Sequence, residues 1–334
     1  MFDGGAGTEP SRARSRFSFE AWLPSLSTIG PLGALVLAGV FFSIRSDRFL
    51  TSDNLSLVLQ QVSVVGILAI GQTLIILTAG VDLSVGAVMA LGAIVMTKLA
   101  VVAGLNPYTA IAIGIAVCTA FGALNGLLVT SVRLPPFIVT LGTLNIAFAL
   151  VHIYSNEETI AHLPAALTFL GTTFDVRGTE ITFGSLVTLA LFALAWFTLR
   201  QTVPGRHIYA IGNNLEAARL AGVRTRGLLL GVYASAGFLY GVAALTLVAR
   251  TGVGDPQAGQ SDNLDSITAV VVGGTSLFGG RGSVIGTLIG TLIVGTFRNG
   301  LQLMGVSAIY QLLFTGTLVI LAVTVDQVSR RRQV

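Results

Sequence analysis

Residues Gln201 to Arg226 read QTVPGRHIYAIGNNLEAARLAGVRTR and lie between two apolar runs in the second half of the chain. The stretch has too few large apolar side chains to cross a bilayer, so it reads as a loop between membrane helices. Within it, Glu216-Ala217-Ala218-Arg219-Leu220-Ala221-Gly222 carries the signals of a short helix. Asn213 or Asn214 offers a side-chain oxygen to the first turn, Glu216 falls where the helix dipole favours an anion, and Gly222 suits the C-terminal turn. The loop also carries Arg206, Arg219, Arg224 and Arg226, four of the chain's nineteen basic residues. A short capped helix in a basic loop of a membrane protein reads as a docking element.

Outward from this loop, composition sets the class. The chain is 53% hydrophobic and 10% charged, against about 25% charged for ordinary soluble domains. Mean hydropathy is +0.83. This is the signature of an integral membrane protein. Its 40 Gly and 9 Pro, many inside apolar runs, point to closely packed, imperfect helices rather than simple anchors. The single cysteine, Cys118, excludes an internal disulfide. A net charge of +4 would also suit a nucleic-acid partner, but the basic residues are distributed by membrane topology, and no nucleic acid is expected.

Ten apolar stretches are candidate spans: roughly 23–44, 57–79, 84–104, 108–130, 136–154, 183–199, 227–248, 265–278, 283–303 and 307–325. The expected fold is therefore an all-α polytopic membrane protein of about ten transmembrane helices, with broken or re-entrant segments and two related halves. It comprises a tail (1–22), a membrane domain (23–325) with a coupling loop (200–226) and an outer loop (155–182), and a basic tail (326–334). With both termini on one side, thirteen Lys and Arg fall on that side. Only Arg45, Arg48, Arg177, Arg250 and Arg298 fall opposite, and Lys98 lies within a span. The excess of basic residues places the termini and the Glu216 loop in the cytoplasm.

Three places are irregular. Gly80-Val81-Asp82-Leu83-Ser84-Val85-Gly86 interrupts two apolar runs, either as a tight cytoplasmic turn or as a broken helix beside a pathway. Gly273 to Gly286 is glycine-rich, and its Ser283-Val284-Ile285-Gly286 echoes Ser84-Val85-Gly86. Gly282, Gly286 and Gly290 fall four apart, a spacing that lets helices pack closely. The third, Ser155 to Thr182, is long enough to be a landing surface for an external partner or a plain excursion.

Chemistry of the chain's own is sparse. Three His residues and one Cys show no metal-ligand spacing, so no metal is expected, nor is there a nucleophile elbow or an ATP-binding motif. Ser276 alone supports only a minor intramembrane hydrolase reading. The spans instead hold neutral carboxamides, which both donate and accept hydrogen bonds and suit a polyhydroxylated solute as well as they suit helix contacts. Candidate pathway residues are Gln60, Gln72, Asp82, Asn125, Asn145 and Phe137.

The chain resembles the permease subunits of bacterial ATP-binding-cassette importers for simple sugars, the ribose, xylose, arabinose, galactose and fructose group. The resemblance is carried by Leu77 to Gly86 (LTAGVDLSVG), Pro136 to Thr143 (PFIVTLGT), Gly205 to Asn214 (GRHIYAIGNN) followed by Glu216-Ala217-Ala218, and Ala269 to Gly286. It covers about Leu50 to Val325. It implies a homodimer with its pathway at the two-fold axis in the bacterial inner membrane, a cytoplasmic ATPase that binds ATP and Mg and often has two cassettes in one polypeptide, and a periplasmic sugar-binding protein. The segment Glu216 to Gly222 would then seat on the ATPase, with Glu216, Ala217, Ala218, Gly222, Arg206 and Asn213 as coupling residues. The broader importer motif continues to an Ile-x-Leu-Pro, whereas Val223-Arg224-Thr225-Arg226-Gly227 follows here, so docking geometry should follow the sugar subgroup. Related permeases carry nucleosides, branched-chain amino acids or signalling furanones. An ion-coupled carrier is a further alternative, weakened by the shortage of mid-membrane carboxylates.

Overall fold

A computed structural model describes residues 26–176 and 178–331. The expected tail over 1–22, Arg177 and residues 332–334 lie outside the described residues. The chain forms thirteen α-helices and one β-hairpin in this range. Six segments are long and apolar enough to cross a membrane: Ser52–Leu77 (α2), Pro107–Val132, Pro136–Ser155 (α5), Phe183–Gln201 (α7), Thr225–Thr251 (α10) and Val284–Leu303 (α12). The second of these is α4 (Pro107–Leu127) continued by a π-helical turn, Leu128–Val132. Shorter apolar stretches fall in α1 (Leu26–Arg45), α3 (Val85–Val101) and α13 (Ala308–Arg331). The chain is an all-α polytopic membrane protein.

One expected span needs correction. The span expected at 265–278 is an 11-residue helix, α11 (Asp262–Val272). At 1.5 Å per residue it extends about 16 Å, roughly half the hydrocarbon core, because Gly273 and Gly274 end it and the chain turns back into α12. Within the expected basic tail from residue 326, the described residues as far as Arg331 continue the helix α13.

α2 and α12 run antiparallel and are matched along their length. Asn54 and Asn299 exchange two carboxamide hydrogen bonds, both 2.9 Å. A Cβ at Gly66 would touch Thr291, and one at Gly295 would overlap Val62. The Thr73 and Thr287 hydroxyls lie 2.7 Å apart. Past the end of α2, the Gly280 amide donates to the Leu77 carbonyl at 3.0 Å. This is helix contact through small and hydrogen-bonding residues, the kind available where solvent drives no burial.

The segment 155–182 is folded. A short helix, α6 (Ala165–Thr168), buries Leu167 completely. Strands β1 (Thr173–Val176) and β2 (Thr179–Thr182) pair antiparallel with Asp175 opposite Glu180. A backbone bridge between Ile160 and Gly254 ties the segment to the loop after α10. This side is called the hairpin face below. The opposite side carries α8 (Val203–Asn213) and α9 (Leu215–Leu220).

Candidate functional site

The polar stretch that opened the reading builds α8 and α9. Thr202 caps α8, its Oγ1 accepting from the Gly205 amide at 3.3 Å, and Pro204 sits in the first turn where no amide partner is needed. Of the two candidate caps for the next helix, Asn214 acts: its Oδ1 accepts from the Ala217 amide at 2.9 Å. Asn213 is the last residue of α8. Gly222 adopts a left-handed φ of 87° just beyond α9, where a side chain would be strained.

α9 presents its polar residues and two leucines outward. Glu216 and Arg219 pair at 2.9 Å while remaining 67% and 63% exposed. Leu220 is 82% exposed, and Leu215 and Ala217 are exposed beside it; Ala218 turns inward and is buried. The sequence reading missed Leu215 and Leu220. Their signal was present, since large apolar residues in a polar loop are candidates for a covered contact. Arg206 is exposed on α8.

The junction of α8 and α9 meets both helix breaks. A Cβ on Gly212 would overlap the Leu77 carbonyl oxygen and the Gly280 amide nitrogen, so only glycine permits this three-way backbone approach. Gly280 lies against the Asn213 backbone and Gly279 against Ala79. Tyr209 extends the seam by donating from its hydroxyl to the Gly282 carbonyl at 3.0 Å. Burial pushes its phenol pKa upward, against a smaller opposing pull from Arg200. A cleft of about 1000 Å³ opens beside α9, bordered by Ala79, the π-turn residue Thr130, Arg133 and Glu216.

The break between α2 and α3 is closed by side chains. Asp82 is fully buried: its Oδ1 accepts from the Ser84 amide (2.8 Å) and hydroxyl (2.6 Å), and its Oδ2 from the Tyr240 hydroxyl (3.1 Å). The Asn125 carboxamide donates to Ser84 Oγ at 3.1 Å, and Gln72 donates to the Asp82 carbonyl. The Gln72 and Asn125 carboxamide oxygens and the Tyr233 hydroxyl are buried in the same cluster without hydrogen-bond partners among the described residues. The irregular backbone here is enclosed in protein, the condition under which a helix could break at membrane depth.

Thus Gln72, Asp82 and Asn125 share one enclosed cluster, while the other three pathway candidates lie elsewhere. Gln60 donates to Ser56 Oγ at 3.2 Å near the hairpin face, and Asn145 and Phe137 sit on the exposed face of α5. A different set of carboxamides, including Gln61, Gln302 and Gln311, borders a cavity on the hairpin face together with Arg298 and Asp265. Gly286 and Gly290 touch the backbone of α11, at Gly273 and Ala269 respectively. Gly282 does not share that helical face: it precedes the Ser283 cap with a φ of 152° and lies against Thr275. Ser276 donates to Asp326 of α13 at 2.9 Å, joining the second break to the last helix. Among the described residues, no group of three or more His, Cys, Asp or Glu is placed to hold a metal.

Comparison with known proteins adds the family. Residues 54–323 match the family described as branched-chain amino acid transport system/permease component. The chain is 43% identical over 307 residues to the fructose import permease protein of Rhizobium meliloti, covering 90% of this chain and 85% of that one. It is 39% identical over 308 residues to the ribose import permease protein of Bacillus subtilis, with 90% and 93% covered. The D-allose transport system permease protein of Escherichia coli K12 is 35% identical over 294 residues, with 87% and 89% covered. No solved structure matches. With the match spanning both helix breaks, α8, α9 and the packed α2–α12 pair, the chain belongs to this family of multi-pass membrane permeases.

Proposed function

We propose that the chain is the membrane-spanning subunit of an ATP-driven importer for a monosaccharide in the bacterial inner membrane. It works as a homodimer with a separate cytoplasmic ATPase, built as a tandem cassette, and a periplasmic sugar-binding protein. The observation that carries this reading is the placement of α9: exposed on its outer side through Leu220 and Glu216, and joined at its root to both helix breaks through Gly212. The relatives named for fructose, ribose and allose support a sugar as the substrate class.

In this reading α9 faces the cytoplasm, as the bias of Arg and Lys requires, and the hairpin face receives the loaded binding protein. ATP and Mg bind the partner, and closure of the cassettes displaces α9. The displacement passes through Asn213 and Gly212 to the Leu77 and Gly280 backbones, changing the relation of α2 and α12 to their neighbours. This subunit contributes a path and a lever, and it needs no catalytic residue.

The test is uptake of labelled fructose, ribose, allose and xylose by cells with and without the chain, with the proton gradient collapsed and ATP maintained. Uptake that persists and depends on the chain is the expected result. Loss of uptake on collapsing the gradient would mean an ion-coupled carrier. The family's description favours one second reading, an amino-acid importer, so labelled leucine belongs in the same panel.

A further inference from the structure

On the hairpin face, α2, α10, α11, α12 and α13 surround a cavity of about 570 Å³, within the range of small-molecule sites. Its floor is ionic. Arg298 donates to Asp265 at 3.1 Å and lies 3.9 Å from Asp262; Asp265 is only 4% exposed, whereas Arg298 is 46% exposed on its side chain and can reach a ligand. One wall is aromatic, with the rings of Phe297 and Phe314 4.8 Å apart. Gln61 also borders the cavity, and its carboxamide oxygen is buried with no hydrogen-bond partner among the described residues.

The chemistry selects a ligand class. Two arginines and three aspartates border the space, so neither sign dominates and a simple anion or cation is poorly matched. Five glutamines border it as well. Carboxamides, carboxylates and a guanidinium together offer donors and acceptors in fixed planes, which suits a neutral molecule whose hydroxyls both donate and accept. The aromatic wall suits the apolar face of a sugar ring. A branched-chain amino acid would satisfy the ion pair but leave the glutamines facing an aliphatic side chain, and unpaired polar groups in a closed site are costly.

We propose that this cavity is a monosaccharide-binding site within the permease itself, with Arg298, braced by Asp262 and Asp265, and the Gln61 carboxamide taking the hydroxyls of the sugar. The site rests on the sugar-import reading and adds to it a stop for the solute between the external binding protein and the rest of the path. Gln61 provides the sharp test. An unsatisfied buried oxygen costs the empty protein stability, so Gln61→Leu should leave the fold as stable or more stable while weakening the sugar.

The experiment uses the purified complex of the permease with its ATPase in lipid nanodiscs, without the soluble binding protein. A reporter cysteine, Gln302→Cys, is labelled with a maleimide in the presence of fructose, ribose, allose, xylose or leucine; Cys118 is fully buried and contributes little background. Thr251→Cys on the cavity border serves as a second reporter. The transported sugar should slow labelling at both positions, and adding Gln61→Leu should raise the half-protecting concentration about tenfold, the effect of one lost hydrogen bond, with no fall in unfolding temperature. Failure of any sugar to protect, protection by leucine alone, or protection unchanged by Gln61→Leu would overturn the site. Uptake by cells carrying the unsubstituted chain separates the two readings. Sugar uptake without protection removes this site alone, whereas no sugar uptake removes both.

Discussion

The two helix breaks echo one another in sequence and are closed by opposite means. At the first, Ser84 begins α3, and the turn before it is tied by side chains converging on Asp82. At the second, Ser283 begins α12, its Oγ accepting from the Gly286 amide at 2.9 Å, and the turn before it is closed by glycine backbones resting on neighbouring backbone. Hydrogen bonds to a buried carboxylate have preferred directions and are costly to break singly. Glycine contacts depend on shape, since an added side chain would overlap the facing backbone, and here single hydrogen bonds from Gly280 to Leu77, Tyr209 to Gly282 and Ser276 to Asp326 tie the turn to its surroundings. The first break is thus an anchor of side chains converging on one carboxylate and the second a seam set by close backbone approach, with Gly212 against Leu77 before the one and Gly280 within the other.

The largest effect should come from filling the point where the two meet. Gly212→Leu places a side chain into the Leu77 carbonyl and the Gly280 amide. Overpacking of this kind costs ~1–3 kcal/mol or more, and the easiest relief is displacement of the α8–α9 junction. Uptake should be abolished while the permease still inserts, and ATP turnover should cease to respond to the sugar-loaded binding protein. Near-normal coupling in this variant would break the assignment of Gly212 as the shared joint.

An intermediate effect sharpens the contrast between the breaks. Asp82→Leu strands the Ser84 amide, the Ser84 hydroxyl and the Tyr240 hydroxyl in a buried site, and even one such group costs ~1–3 kcal/mol. Ser283→Ala removes a single capping acceptor, worth about 1 kcal/mol. Thermal unfolding in matched detergent should therefore show a clearly greater loss for Asp82→Leu. Equal losses would mean that the first break is no more firmly tied than the second.

The smallest effect on stability, though not on function, is expected at α9. Glu216 and Arg219 form an exposed pair, the kind worth ~0–1 kcal/mol. Glu216→Arg should leave the unfolding temperature nearly unchanged and reduce sugar-stimulated ATP turnover by reversing a charge at the proposed docking surface. Unchanged turnover would remove Glu216 from coupling and leave the exposed leucines to carry the contact.

Class and loop organisation were legible because they rest on strong local signals. Long apolar runs define α2, α5, α7, α10 and α12, and a capping asparagine followed by Glu216 and Gly222 defines α9. The length of α11 was not legible: the chain stays largely apolar or glycine past Val272, and only the close approach of Gly273 to Gly286 of α12 shows where the helix ends and the chain turns. Gly282 misled for a related reason, since a spacing of four has helical meaning only after the helix has begun. The candidate pathway was least legible. Gln60 and Gln61 are neighbours in sequence, yet one bonds a serine on its own helix and the other borders the cavity. Composition selects carboxamides as a class, whereas rotation about a helix axis by about 100° per residue decides what each one meets.

The α2–α12 pair is fastened at both ends, by the crossed carboxamides of Asn54 and Asn299 and by the bond from Gly280 to Leu77. In mechanical terms it is a closed frame rather than two free beams. Neither helix can slide along the other without releasing one of its end fastenings. In the proposed cycle, a push at the Gly212 corner would rotate the frame as a single panel, and the work would fall on the seams around it.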